Sequence, residues 1–99
     1  MGSSKQLQIP DAALRDDKAD EIARVWVAGK AQHVSLLVLN WQDPAAWGIV
    51  LADLARHLVN AYEQEEQLDR GETLERIRRS FNAELDSPTD SPTGRVMSM

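Results

Sequence analysis

The chain has 99 residues, 42% of them hydrophobic and 27% charged, with a net charge of −5 and a pI near 4.9. That is the size and composition of one small water-soluble domain, and its acidity disfavours general binding to a phosphate backbone. There is no cysteine, which excludes disulfides, thiolate catalysis and the common zinc frameworks and fits a reducing compartment.

Residues 1–10 are polar and read as a flexible start. Gly2 is followed by Gln6 where a myristoylation motif needs Ser or Thr, and no apolar run follows that would make a signal peptide or a membrane span. A cytoplasmic protein is expected. Residues 11–21, "DAALRDDKADE", predict a helical turn or two, with Asp11 and Asp17 as N-cap candidates.

Residues 22–40 admit two readings, a helix from Asp17 to Ala28 or a hairpin of "ARVWVA" and "HVSLLVL". Val25, Trp26 and Val27 in succession favour strand. A register that sets Ala28 opposite His33 and Val27 opposite Val34 gathers Ala23, Val25, Val27, Val34, Leu36 and Val38 on one apolar face. That face is expected to cover helices. The other carries Ile22, Trp26, Leu37 and Leu39 beside Arg24, His33 and Ser35.

Asp43-Pro44 predicts a helix start, an acceptor followed by proline at the first helical position. The helix is expected to run to about Gln67, with Trp47, Val50, Leu51, Leu54, Leu58, Ala61 and Tyr62 on one arc. Asp69 and Glu72 have capping-box spacing. A last helix to about Glu84 carries Leu74, Ile77, Phe81 and Leu85 as an apolar stripe. The short link makes the two helices an antiparallel pair. From Asp86 the unit DSPT occurs twice, and residues 87–99 read as a disordered, solubilising tail. The expected fold is α+β: a β-hairpin packed on a long helix plus an antiparallel second helix, forming one domain over residues 11–86 with loose ends.

The stretches "ARVWVAGKAQHVSL", "DPAAWG" and "DLARHLVNAY" together resemble the bacterial domain-of-unknown-function family 5076 over about residues 20–85. Arg24, Trp26, His33, Ser35, Trp47, Gly48, Asp53 and His57 carry the resemblance. It implies a short stand-alone bacterial protein and brings no activity, cofactor or catalytic residue.

His33 and His57 are the only histidines. Asp53 precedes His57 by four, so the two side chains can meet on one helix side, as in the orienting half of a general-base pair. Adding Ser35 completes a triad on paper. No nucleophile elbow surrounds Ser35, which lies mid-strand, so an ordinary ion pair and a strand serine are the simpler reading. The histidine spacing matches no metal motif, and neither metal nor cofactor is expected. Arg70, Arg76, Arg78 and Arg79 form the basic cluster. Glu72 and Glu75 stand four residues before Arg76 and Arg79, which makes a neutralised helix face more plausible than a nucleic-acid patch. Trp26, Trp41 and Trp47 fit core or interface anchors better than a ligand cage, and Gly48 beside Trp47 marks a close approach.

These features predict a non-enzymatic interaction or regulatory module acting as a homodimer. Its contact would run through the hairpin at Trp26 and Leu37, with no membrane or nucleic-acid partner. The alternative is a small-molecule binding protein or minor enzyme with a cleft at His33, Ser35, Asp53 and His57.

Overall fold

The computed structural model describes residues 5–38 and 41–88, and the backbone alone of 93–97. The fold is α+β, as expected. In chain order it has a short helix α1 (Asp11–Leu14), strands β1 (Ala23–Ala28) and β2 (Ala31–Leu37), helices α2 (Ala45–Glu66) and α3 (Arg70–Asp86), and a strand β3 (Thr93–Met97). Two compact units result. One holds residues 1–40 with 94–99, the other 41–93. Each is described in turn.

Residues 5–10 carry no helix or strand, and Leu7 and Ile9 are exposed. α1 starts directly after Pro10, and no side chain caps it. Asp17 starts no helix; its neighbour Asp16 accepts from the Lys18 amide at 2.9 Å and closes a turn. Residues 23–28 are strand throughout, so the helical alternative for this stretch falls away.

β1 and β2 pair antiparallel, with Ala23 opposite Leu36, Val25 opposite Val34, Trp26 opposite His33 and Ala28 opposite Ala31. This register is two residues tighter than the sequence suggested. The cause is the turn. Gly29 and Lys30 both adopt positive φ, 59° and 64°, the pattern of a two-residue type I′ loop whose twist matches the strands it joins. Gly29 was expected to be paired and Lys30-Ala31 to turn. A slip of two leaves every side chain on its own face. The apolar face therefore survives, with Gln32 joining it opposite Val27.

The sheet order is β1-β2-β3. β2 lies in the middle, where Val34 and Leu36 are half-buried, and β1 is an edge, where Val25 and Val27 are exposed, Val27 at 79%. On the opposite face Trp26, Ser35 and Leu37 are half-buried. β3 falls within 87–99, the stretch expected to be a disordered tail, of which residues 89–92 and 98–99 lie outside the described residues. The open edge of β2 offers unpaired backbone donors and acceptors, and a strand can answer them without a core of its own.

In the second unit, the Asp43 carboxylate accepts from the Ala45 amide at 2.9 Å and starts α2 as foreseen. α2 ends on a left-handed residue, Gln67 at φ 53°. The Gln67 amide donates to the Glu63 carbonyl, the single bond of an αL ending, and the Leu68 amide reaches the Tyr62 carbonyl. Asp69 then caps α3 by accepting from the Glu72 amide at 2.9 Å. The reciprocal arm of the capping box is not made, because the Glu72 carboxylate turns to Arg76 at 2.6 Å. Thr73 adds a bond from its hydroxyl to the Asp69 carbonyl, 2.7 Å. With this short link α2 and α3 pack on each other. Val59 on α2, 4% exposed, and Thr73 on α3 are buried, with Leu74 and Ile77 half-buried beside them.

Two outcomes test these joints. At Gly29 an added Cβ meets nothing within 4 Å, so Gly29→Ala should cost only the left-handed penalty, roughly 1 kcal/mol. Lys30→Gly should change stability in the opposite sense. Chemical denaturation of the two variants beside the wild type reads both signs. Asp69→Ala should lower stability by about 1 kcal/mol, since the first-turn amide of α3 loses its acceptor. An unmoved denaturation midpoint would assign the cap to another group.

Candidate functional site

The four residues singled out for chemistry fall into two pairs, one in each unit. His33 and Ser35 sit two apart on β2 and share a face. His33 is exposed and lies opposite Trp26; Ser35 is half-buried and lies opposite Arg24. The His33 Nε2 stands 3.2 Å from the Ala28 carbonyl. A carbonyl only accepts, so that nitrogen carries the proton and cannot serve as a base while the bond holds. Arg24 is tied to Glu21 at 2.8 Å.

Asp53 and His57 lie one turn apart on α2, both exposed. Among the described residues no hydrogen bond or ion pair joins them. The spacing permits contact, but at the surface water competes for both groups and little energy favours the pairing. Ser35 belongs to the other unit. Among the described residues no three His, Asp or Glu side chains are placed to hold a metal ion.

The arginines of α3 are engaged. Arg76 pairs with Glu72 at 2.6 Å, Arg79 and Arg78 approach Glu75 at 3.7 and 3.8 Å, and Arg70 reaches back to Glu63 of α2 at 2.9 Å. The Glu72 and Glu75 pairs follow the helical spacing read in the sequence. The Glu63–Arg70 pair crosses the link and was not anticipated. All are exposed pairs, which neutralise charge more than they stabilise.

Between α2 and α3 lies an open groove of about 460 Å³, lined by Tyr62, Leu68, Thr73, Arg76, Ile77 and Ser80. The Thr73 hydroxyl and the Arg76 guanidinium are both spent on neighbours in α3 and its cap. The floor is apolar, and Thr73 and Arg76 on its rim are already engaged.

Two of the three tryptophans meet. Trp41 and Trp47 stand edge to face, 5.5 Å apart at 78°, a favoured arrangement of ring quadrupoles. The Trp47 indole N–H lies out of water and finds no acceptor among the described residues. At Gly48 a Cβ would meet nothing within 4 Å, so no close approach is made there among the described residues.

The sequence reading missed a surface. Leu51, Leu54, Leu58 and Tyr62 on α2 stay exposed, as do Phe81 and Leu85 on α3. The first four were assigned to the core. The signal was there in their spacing, which is regular enough to serve a second partner as well as α3.

No helix among the described residues is long and apolar enough to cross a membrane. No curated protein matches the chain. A solved structure from the photosynthetic bacterium Rhodopseudomonas palustrus CGA009, described as a "putative pyruvate dehydrogenase", is similar to it at 34% identity. The match covers 94% of this chain and 95% of that one, with a TM-score of 0.74. The profile of a domain of unknown function, DUF5076, matches residues 6–89, and the chain belongs to that family.

Proposed function

We propose that the protein is a non-enzymatic interaction or regulatory module that acts as a homodimer. The observation that carries this reading is the apolar face of α2, where Leu51, Leu54, Leu58 and Tyr62 are each between 42% and 53% exposed while Val59 is the only hydrophobic side chain buried among the described residues. A cytoplasmic location and the lack of a nucleic-acid partner fit the acidic charge and the paired arginines.

The hairpin enters this reading as a contact surface. Trp26 and Leu37 lie on its half-buried face, and Val25 and Val27 on its exposed one. β1 is also an unpaired edge.

The description carried by the Rhodopseudomonas relative favours a second reading, an enzyme or small-molecule binder using His33, Ser35, Asp53 and His57. Oxidative decarboxylation of pyruvate needs a carboxylate anchor and proton transfer in a closed cleft. Three of these four side chains are exposed, and His33 Nε2 is committed to a backbone carbonyl.

Two measurements separate the readings. Light scattering coupled to size exclusion at tens of micromolar should return about twice the 11.1 kDa of one chain; the monomer mass would defeat the homodimer. Pyruvate oxidation followed with an artificial electron acceptor should give no turnover. Turnover lost in both His33→Ala and His57→Ala would establish the enzyme instead.

A further inference from the structure

The exposed face of α2 has a stricter order than a generic amphipathic helix. Trp47, Leu51, Leu54, Leu58 and Ala61 are spaced 4, 3, 4, 3, the a/d repeat of a helix that packs lengthwise against another helix. Leu51, Leu54, Leu58 and the adjoining Tyr62 are each between 42% and 53% exposed. Within this chain α3 does not cover them. The buried residue of α2 is Val59, which stands about 100° around the helix from the centre of the leucine seam, and Tyr62, at the edge of the seam, lines the groove shared with α3. Two packing directions near a right angle are what a helix has inside a four-helix bundle. α2 and α3 supply two of the four helices.

Resting on the homodimer reading, we infer that the fourth side is closed by a second copy of this chain, with α2 packed antiparallel on the α2 of its partner along Leu51, Leu54 and Leu58. Three observations select this occupant. The seam from Trp47 to Ala61 holds no charged residue, so a two-fold axis brings no like charges together across it. The acids Glu63, Glu65 and Glu66 crowd the C-terminal end of α2, where they oppose the helix dipole. Antiparallel pairing sets that end beside the positive N-terminal end of the other α2. Finally, the residues flanking the seam on one side are Gly48 and Ala55, and a Cβ at position 48 would meet open space. Small flanking residues allow two helix backbones to come close.

The seam is centred near the middle of α2, so the pairing that keeps leucines in register sets Leu54 against Leu58 of the partner subunit and Leu51 against Ala61 of the partner subunit. Tyr62, at the edge of the seam, would be covered as the two helices close. The surface left exposed by one copy is then the core of two.

The experiment uses the full chain, its mass read by light scattering. The double variant Leu54→Glu/Leu58→Glu places two charges per chain in the seam and should raise the dimer dissociation constant by about 100-fold or more, giving the monomer mass with the helical circular dichroism intact. Trp26→Glu on the hairpin, a secondary contact in this arrangement, should weaken the dimer far less than the helix variant does. A monomeric wild type would overturn the homodimer reading and this inference together. A dimer that survives the helix variant and dissociates in Trp26→Glu would overturn this inference alone. Should the double variant lose its helical signal, oxidation of single cysteines in a chain that has none decides the matter. Ala55→Cys should cross-link to a dimer, and Leu51→Cys should cross-link far better with Ala61→Cys than with itself. Absence of the Ala55→Cys cross-link, or efficient self-linkage of Leu51→Cys, overturns the antiparallel seam.

Discussion

A helix in a small domain is held by the apolar stripe it can set against a neighbour, and within the helical unit α2 buries little of its own. The helical unit encloses its inner contact with Val59 and Thr73, and the leucines one third of a turn away stay wet. A helix contacting a single neighbour can bury one stripe of about 100°, and α2 carries apolar residues over a wider arc. At roughly 25 cal/mol per Å² of apolar area, each half-exposed leucine forgoes on the order of 1 kcal/mol. Stability for so short a chain is a matter of a few such terms. This shortage shapes the rest: it favours exposed ion pairs on α3, demands firm helix ends, and directs attention to surfaces rather than to clefts.

The joints show how the chain compensates locally. Two non-glycine residues, Lys30 and Gln67, hold left-handed backbone, each at a cost of about 1 kcal/mol. Both stand where the chain must reverse. At Lys30 the reversal sets the twist of β1 against β2. At Gln67 it lets the last amides close α2 and brings Asp69 into place to cap α3. Strain at these two points is exchanged for satisfied backbone groups on both sides, which in an under-packed molecule matters more than side-chain contact.

How much of this was legible in the sequence depended on whether the determining residues were local. Asp43-Pro44 and Asp69 announce helix starts because the cap and the amide it receives lie within three residues. The hairpin faces were legible because parity along a strand survives a slip of two. The register was not, since Gly29-Lys30 as a turn requires a lysine at positive φ, which no rule of composition favours. The left-handed end at Gln67 lacks the glycine that usually marks it. β3 escaped for a different reason: a strand that answers an open edge is specified by that edge, not by its own polar, proline-flanked sequence. The candidate site fared as its residues allowed. The spacing of Asp53 and His57 was read correctly as one helix side, yet spacing cannot say that two exposed groups will bond.

The leucine spacing on α2 carries the functional argument further than the histidines do. A core face and a docking face obey the same periodicity, so pattern alone sends both to the interior. What separates them is the number of neighbours available, and a chain with one partner helix for α2 can satisfy only one direction. A second copy would supply the other direction: as the two seams close, Leu51, Leu54 and Leu58 would leave water, and apolar burial would supply the affinity.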